Sequence, residues 1–484
     1  MIGLPPNLFF GTGIAASIIV LDKEKAEAEK DLPDEQKGIF MIDAGKGFIK
    51  EGPKNRLREQ DIHKIVDVFN GKKEIEKFSR FVPLAKIKNK KNDYNLNIPR
   101  YIDSQEIEDI QDIEAHLLGD IPNRDIDDLN AYWTVYPNMR KELFSDSKRN
   151  NYCKLKIEKE KIKHTIFHHP EFTAFSKEMD LVFEKWKTDN TKYLKVLAKS
   201  CHPKEVIKKI SEELLKSFEN RNLIDKYDMY QHLMNYWAET MQDDLYELAA
   251  DGWEAGKEVT RVKKEVKKKG SEEKVKKEVE GIDGLEGRLI PPRLMIEIYF
   301  AKEQKAIEEL EEKKEKTVAK IKELQEEHGN EDGLLGNAVE INEKQKTMKI
   351  TKKRLQSAIK DLGKLDEDNA EEFDMLKQYE QLMEEETKLK AAIKKALTEL
   401  EIALLKKYPT LTVEEIKINV VDKKWMISIE RLIKGELENI SHGLTQRIKE
   451  LAERYETPLP LQTELVSDLT AKVETHLREM NFVW

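Results

Sequence analysis

The spacing of apolar residues changes at about residue 105, and this change limits what the chain can fold into. Before that point, short β-branched runs such as Ile14–Leu21 and Ile39–Ile42 stand between polar segments, which predicts strands. After it, apolar residues recur every three or four positions, which predicts helices. Charged residues make up 37% of the 484 residues and hydrophobic ones 39%, a balance typical of long solvated helices. We therefore expect a mainly α protein of about two to four domains, with a partial α/β sheet near its start.

Composition excludes several classes of protein. The formal net charge of -9 argues against a chain that binds nucleic acid over its whole surface, so any DNA contact must come from a local basic patch or a partner. Cys153 and Cys201 stand outside CxxC and Cys/His arrays, which disfavours structural zinc and disulfides and fits a reducing cytoplasm. No apolar run approaches the roughly 20 residues that span a bilayer, and Ile14–Leu21 lacks the flanks of a signal peptide. We expect a soluble, cytoplasmic protein without a membrane contact.

The first 104 residues carry the clearest strand signals. The run Ile14–Leu21 predicts a buried strand, and runs at Ile39–Ile42 and Phe78–Val82 predict two more. Apolar residues spaced by three and four from Glu59 predict a helix that ends at Gly71.

Two heptad segments lie on either side of a turn-rich insert, His328–Gly336. Both predict long helices that double back as an antiparallel coiled coil, although Lys314, Thr317 and Glu386 interrupt the apolar seam. The predicted division is residues 1–104 for the α/β region, 105–290 for a helical domain with a basic linker near 257–280, 291–400 for the coiled coil, and 401–484 for a carboxy-terminal helical region.

The stretch 257–280 alternates lysine clusters with single valines. Because glutamates stand among the lysines, we favour a solvated helix face. Contact with DNA phosphates is the alternative, and the salt dependence of DNA binding would distinguish the two.

One short motif has the residue pattern of a cofactor site, but the segments on either side of it do not have the secondary structure that such a site needs. Phe9–Gly13, FFGTG, fits the F-x-G-x-G pattern that begins S-adenosylmethionine sites. Such a loop follows a strand and precedes a helix whose N-terminus faces the ligand, whereas here prolines precede the glycines and a β-branched run follows them. We expect a glycine-rich turn leading into a strand, and no cofactor-binding residue. His168–Glu171 and Cys201–His202 lack the spacing of zinc ligands, so we expect no metal site.

Two regions resemble the modification subunit of type I restriction-modification systems, an adenine-N6 DNA methyltransferase. The blocks of the first region are Ile2–Ile14 (IGLPPNLFFGTGI), Ile18–Leu21, Phe40–Ala44 and Asp93–Tyr101. The second region begins at Pro292 and includes Ala452–Pro460 and Phe482–Trp484. It resembles the tail of the longer form of that subunit.

The resemblance implies a Rossmann-like sheet and methyl transfer from S-adenosylmethionine to N6 of an adenine flipped out of double-stranded DNA. It implies a complex with a specificity subunit, which reads the DNA sequence, and a restriction subunit, which cleaves. The carboxy-terminal helices would pack on coiled-coil spacers of the specificity subunit. The chain departs from the family because it has neither the cofactor loop nor the Asn-Pro-Pro-Tyr/Phe catalytic motif. No residue therefore inherits a catalytic or cofactor role, and only Phe9, Phe10 and Thr12 are placed along the active-site wall.

A partial sheet of this kind leaves an apolar edge and face, so we expect an amino-terminal methyltransferase fragment to cover it. Met1 would then be an internal methionine of a longer or split reading frame, and the chain alone would be inactive and bind no cofactor. A different hypothesis is a non-catalytic helical module that docks the specificity subunit. A third is an unrelated coiled-coil scaffold. An upstream frame that encodes the two missing motifs would support the first hypothesis.

Overall fold

The computed structural model describes residues 1–104, 110–267, 274–330, 333–342, 347–362 and 369–480. Over these residues the chain is mostly helical with small sheets, which confirms the mainly α prediction. It forms two compact units. One contains Met1–Val196, His202–Gln242 and the residues from Met426 onward, and the other contains Leu197–Cys201 and Asp243–Trp425. The four segments inferred from the sequence stay predictions.

Residues 1–104 form a four-stranded sheet flanked by helices. The elements are β1 (Ile2–Gly3), β2 (Ser17–Ile18), α1 (Lys23–Ala28), β3 (Gly38–Asp43), β4 (Ile49–Glu51), β5 (Lys54–Arg56), α2 (Glu59–Gly71), β6 (Ser79–Pro83) and α3 (Leu84–Lys88). The strand order is β2-β1-β3-β6, with β1 parallel to β3 and the other two pairs antiparallel. The predicted strands at Ile39–Ile42 and Phe78–Val82 and the predicted helix that ends at Gly71 are confirmed.

Strand β3 is buried on both of its faces. Phe40 and Ile42 pack on one face with Ile65 of α2. Met41 packs on the other face with Ile87 of α3. Because successive side chains of a strand point to opposite faces, the continuous apolar run of β3 matches a strand enclosed on both sides.

The prediction of a buried strand over Ile14–Leu21 is wrong. Only Ser17–Ile18 form a strand, at the edge of the sheet beside the two-residue β1. Ile14 and Leu21 are 79% and 89% exposed. The sequence pattern is that of a buried strand, but burial needs a second surface, and the described residues do not supply one.

Residues 110–242 are helical apart from a small sheet of strand order β7-β9-β8. The elements are α4 (Ile113–Leu118), β7 (Ile121–Pro122), α5 (Asn123–Asp127), α6 (Asn130–Val135), α7 (Pro137–Leu143), β8 (Phe144–Asp146), β9 (Tyr152–Leu155), α8 (Ile162–His168), α9 (Pro170–Lys195), α10 (Pro203–Ser217) and α11 (Lys226–Tyr236). On α9, Phe172, Phe175, Met179 and Phe183 are buried at a spacing of three and four residues, which gives that helix its core face. A π-helical turn, Trp237–Met241, follows α11.

Polar contacts join α2 to α11. The Gln60 side chain donates a hydrogen bond to Asp228 over 2.7 Å, and the Tyr227 hydroxyl donates one to Asp67 over 3.0 Å. Burial raises the pKa of Asp228, and the hydrogen bond from Gln60 opposes that shift. These contacts connect the sheet of residues 1–104 to the helices that follow it.

Residues 242–426 contain the longest helix of the described residues, Ala370–Lys407, and the long helix Ala301–His328 that packs against it. The elements are α12 (Gln242–Asp251), β10 (Val259–Arg261), β11 (Lys263–Lys267), β12 (Lys274–Glu278), β13 (Leu285–Gly287), α13 (Pro292–Tyr299), α14 (Ala301–His328), β14 (Val339–Asn342), β15 (Thr347–Ile350), α15 (Lys352–Asp361), α16 (Ala370–Lys407), α17 (Val413–Lys417) and a π-helix (Ile418–Met426). Ile321 and Leu324, near the end of α14, pack with Leu376 and Tyr379, near the start of α16, so these two helices run in opposite directions. The knobs-into-holes packing of a coiled coil stays a prediction.

The expected helix face over the lysine-rich stretch is wrong, because β11 and β12 pair as an antiparallel hairpin. A helix would stack Lys263 over Lys267, four residues on, where like charges repel. The hairpin register instead places Lys263 opposite Glu278, with 3.6 Å between Nζ and Oε1, and Glu265 opposite Lys276. Strand pairing thus brings two lysines opposite glutamates and suits β-branched valine, although Lys264 then lies opposite Lys277.

A buried carboxylate organises the core of the second unit. Asp244 accepts hydrogen bonds from Lys424 Nζ over 2.7 Å and 2.8 Å and from Trp425 Nε1 over 2.7 Å. Lys424 also donates to the Leu289 carbonyl over 2.8 Å. Burial raises the pKa of Asp244, against the opposing effect of Lys424 and Trp425.

Two helices, α18 (Ile427–Glu456) and α19 (Leu459–Glu479), end the described part of the chain. α18 packs against α8, α9 and α11, and its Tyr455 hydroxyl donates to Asp125 over 3.0 Å. No residue of α19 is buried. The closing residues Phe482–Trp484 lie outside the described residues.

The substitution Asp244→Ala should lower the free energy of unfolding of the second unit by about 3–5 kcal/mol, because it removes the carboxylate that compensates the buried charge of Lys424 and accepts from the Trp425 indole N–H. Chemical denaturation followed by circular dichroism and tryptophan fluorescence would measure the loss. Asp243→Ala, which removes the neighbouring exposed carboxylate, should change stability by less than about 0.5 kcal/mol. Equal effects of the two substitutions would contradict the prediction.

Candidate functional site

The loop between β1 and β2 contains the residues predicted to line an active site. Its start is fixed by close packing, since a Cβ on Gly3 would lie 2.8 Å from Ile98 Cδ1. Asn55 of β5 then holds the loop: its backbone N–H donates to the Asn7 carbonyl over 3.0 Å and its side chain to the Pro6 carbonyl over 2.8 Å. Asn7 has a left-handed φ of 57°, which turns the chain away from the sheet. The loop therefore has a defined conformation although it lies on the surface.

Phe9, Phe10 and Thr12 lie together on this loop. Lys54 Nζ donates to the Phe9 carbonyl and lies 5.1 Å from the centroid of the Phe10 ring, a cation–π distance. Thr12 Oγ1 accepts a hydrogen bond from the Ile14 N–H over 3.1 Å. Gly11, with φ of 79°, makes the turn that the sequence predicted. The role of these residues in an active-site wall stays a prediction.

The loop lies at the carboxyl ends of the parallel strands β1 and β3, the position where α/β proteins bind their ligands. β1 and β3 are parallel, so the segments that follow them, after Gly3 and after Asp43, leave the sheet on the same side. Ligands of open α/β sheets bind outside the carboxyl ends of such strands. At the end of β3, Asp43 Oδ1 accepts from the Gly45 N–H over 3.0 Å and so supports its own turn.

An exposed apolar surface begins in the same loop and continues through β2. We call it the apolar edge, and its members are Phe9, Phe10, Ile14, Ile18, Ile19, Val20 and Leu21. Phe10 is 93% exposed. A contiguous apolar surface on an edge strand is typical of a site that another polypeptide covers.

A second exposed apolar surface runs along α19. We call it the α19 face, and its members are Leu459, Leu465, Val466, Leu469, Val473 and Met480. Four of them recur at intervals of seven residues, and all are between 48% and 67% exposed. An amphipathic helix with such a stripe normally lies against another helix.

The pKa shifts that burial causes in Asp244, Asp228, Cys153 and Tyr230 lie in packed contacts away from this loop. Burial raises the pKa of Asp244 and Asp228, whose partners are described above. Burial also raises the pKa of the Cys153 thiol to about 12 and that of the Tyr230 hydroxyl to about 12. A thiol held protonated in this way is not a nucleophile.

The histidines singled out in the sequence have structural roles. His169 Nδ1 accepts a hydrogen bond from the Glu171 N–H over 3.1 Å and caps the start of α9. His168 stacks on His164 with 4.0 Å between ring centroids. Within the part of the chain that the structure describes, no group of three or more histidine, cysteine, aspartate or glutamate side chains is arranged to hold a metal ion. Among the same residues, no helix is both long and apolar enough to cross a membrane.

Sequence reasoning missed the exposure of the α19 face and the strand pairing of the lysine-rich stretch. The seven-residue recurrence from Leu459 to Met480 was a usable signal for the first. For the second, lysines and glutamates that become partners are separated by up to 15 residues, so no local pattern shows the pairing.

The first 110 residues match the N-6 DNA Methylase family. The chain is 36% identical over 129 residues to the type I restriction enzyme MpnII methylase subunit of Mycoplasma pneumoniae, covering 26% of this chain and 22% of that protein. It is 41% identical over 103 residues to the MjaVII methylase subunit of Methanocaldococcus jannaschii, covering 20% and 16%. The MjaVIII methylase subunit of the same organism is 34% identical over 122 residues, covering 24% and 19%. The chain thus spans about a fifth of the length of the curated relatives it matches.

The second resemblance, from Pro292 to the end of the chain, stays a prediction. The first is confirmed, and the sheet, the loop after β1 and the apolar edge all lie within it. Residues 1–110 are thus similar to the N-6 DNA methylases, and part of the chain is similar to methylase subunits of type I restriction enzymes.

Proposed function

We propose that residues 1–104 form part of the catalytic domain of an adenine-N6 DNA methyltransferase of a type I restriction-modification system. The relatives are methylase subunits of such enzymes, and the family match falls on this region. The observation that carries the proposal is the apolar edge, because a methyltransferase sheet continues where this surface is exposed. In the complete enzyme S-adenosylmethionine supplies the methyl group and double-stranded DNA supplies the adenine.

The residues of this chain do not fit S-adenosylmethionine by themselves. The glycine-rich turn at Gly11 is followed by the exposed extended segment up to Leu21, and not by a helix whose N-terminus could face a ligand. A second polypeptide, or an amino-terminal methyltransferase fragment, therefore contributes the cofactor loop and the Asn-Pro-Pro-Tyr/Phe motif. It packs on the apolar edge, and Phe9, Phe10 and Thr12 then form one wall of the completed site.

The apolar edge has the right chemistry for that role. Its side chains are aromatic or branched aliphatic, and each fully buried one contributes about 1.5–3 kcal/mol to association. The unpaired side of β2 offers backbone N–H and C=O groups for strand addition. Polar substitution on the apolar edge would weaken that association without disturbing the core around β3.

The isolated chain should not bind S-adenosylmethionine, because it lacks a cofactor loop and the helix that would follow one. Isothermal calorimetry should show no specific heat at cofactor concentrations up to about 1 mM, which corresponds to a binding free energy weaker than about -4 kcal/mol. Addition of a polypeptide with the two missing motifs should restore binding. Micromolar affinity of the isolated chain would instead assign the site to Gly11 and Gly13.

The triple variant Phe10→Ser, Ile14→Ser and Leu21→Ser should bind much less 8-anilinonaphthalene-1-sulfonate than the unmodified chain, because this dye reports exposed apolar surface. Its thermal unfolding should be unchanged, since the three side chains are solvent-exposed. A control variant, Leu181→Ser, Val196→Ser and Ile402→Ser, removes three exposed apolar residues that lie far apart in sequence. If the control lowers dye binding as much, the apolar edge is not a distinct surface.

The α19 face supports a second role, docking of the specificity subunit by the helical part of the chain. A helix with no buried residue and an apolar stripe of three turns or more gains stability when a partner covers the stripe. A coiled-coil spacer of the specificity subunit offers a matching helical surface. This role is compatible with the catalytic one, and it stands alone if no complementary methyltransferase fragment exists. The restriction subunit would join the same complex.

The variant Leu469→Asp with Val473→Asp should reduce co-purification with a specificity subunit by at least about tenfold, because it places two charges in the apolar stripe. Ser467→Asp with Ala471→Asp adds the same charge on the opposite side of α19 and should leave co-purification within about twofold. Helix content by circular dichroism should be the same for both variants. Equal losses would show that charge alone, and not the α19 face, governs the association.

A further inference from the structure

The hairpin of β11 and β12 is a concentration of positive charge on an acidic chain. Its ten residues contain six lysines and two glutamates, a net charge of +4, whereas the whole chain carries -9. Lys263, Lys264, Lys276 and Lys277 are all exposed. We call this element the basic hairpin.

The register of the basic hairpin places lysine opposite glutamate at two of its five pairs and lysine opposite lysine at two others. Lys264 lies directly across from Lys277 in the antiparallel pair, so both side chains stand on the same face. Like charges in that position destabilise a strand pair. Among the described residues near this position, the ion pairs of Lys263 with Glu278 at 3.6 Å and of Lys277 with Glu280 at 3.8 Å are long and exposed. They therefore offset little of the repulsion.

We propose that the basic hairpin contacts the phosphate backbone of double-stranded DNA. A polyanion along the lysines would relieve the repulsion between Lys264 and Lys277 and release counterions from the DNA. Strands of five residues extend about 17 Å, and the major groove, about 12 Å wide, admits a two-stranded ribbon. The inference deepens the proposed function, because it names the surface through which a methylase subunit would hold its substrate.

Two observations favour DNA over other partners. The exposed residues described in the hairpin are charged, whereas protein interfaces are depleted in lysine and depend on buried aromatic or aliphatic anchors. The groove between the base of the hairpin and helices α14 and α16 is lined by six basic and six acidic residues. It therefore does not select a polyanion, and Arg261, one of its basic residues, is already paired with Glu401. Of these two neighbouring surfaces, only the hairpin has an excess of positive charge.

The test compares two variants of the full chain with the same change in charge. Lys263→Gln, Lys264→Gln, Lys276→Gln and Lys277→Gln neutralise the basic hairpin, and the control neutralises exposed lysines of α14 and α16 through Lys302→Gln, Lys313→Gln, Lys320→Gln and Lys388→Gln. Fluorescence anisotropy with a duplex of about 25 base pairs is recorded between about 50 and 200 mM salt.

The hairpin variant should bind at least about tenfold more weakly at the lowest salt, and its slope of log affinity against log salt should fall by about 3 to 4, at about 0.9 for each phosphate lost. The control should stay within about twofold of the unmodified chain. Circular dichroism and thermal unfolding should be the same for all three, since the substituted side chains are exposed.

Equal losses in hairpin and control variants, or no binding by the unmodified chain, would overturn the proposal. So would competition by polyglutamate as effective as that by unlabelled duplex, which would assign the hairpin to an acidic protein surface. The measurement needs neither cofactor nor methyl transfer. The anisotropy measurement can therefore be interpreted even if the proposed catalytic role is wrong. If instead the hairpin does not bind DNA, the calorimetry with S-adenosylmethionine still tests the catalytic role.

Discussion

The enclosure of strand β3 on both faces is the constraint on which the first unit depends. Met41 and Ile42 are fully buried, one on each face, so the sheet is stable only with α2 on one side and the segment around α3 on the other. Gln60 and Asp67 of α2 in turn form hydrogen bonds with α11, so the position of α2 on β3 also positions the helices of residues 110–242. The same strand fixes the site, because its parallel pairing with β1 sets the direction in which the loop containing Phe9 leaves the sheet.

The local spacing of apolar residues was sufficient to predict a helix or strand where nearby parts of the same chain bury its apolar face. The apolar run of β3 and the amphipathic repeat of α2 could both be predicted, and so could the two long helices α14 and α16. Thr317 was expected to interrupt the seam of α14, yet it is buried, because its hydroxyl donates to the Lys313 carbonyl and satisfies its own polar group. Side chains of this kind fit an apolar seam better than their polarity suggests.

Pattern failed where the partner is remote in sequence or where the described residues supply no covering surface. Ile14–Leu21 has the composition of a buried strand, and composition cannot show whether a covering surface is present. The lysine-rich stretch forms strands through pairings as distant as Lys263 with Glu278. The packing of α18 against α8 and α11 joins residues about 200 or more positions apart, and no local rule predicts it. For the site, the sequence placed Phe9, Phe10 and Thr12 together only through the family resemblance, and the geometry adds the loop supports from Asn55 and Lys54.

The buried carboxylate of Asp244 has a consequence for how the chain is assembled from segments. It binds Lys424 and Trp425, so the second residue of the stretch 243–425 is within hydrogen-bond distance of the last two. A segment whose ends meet can be inserted into a host fold, lengthened or deleted with little strain on either side of the junction. The stretch that contains α14, α16 and the basic hairpin thus begins and ends at one point, which favours its insertion or lengthening as a unit.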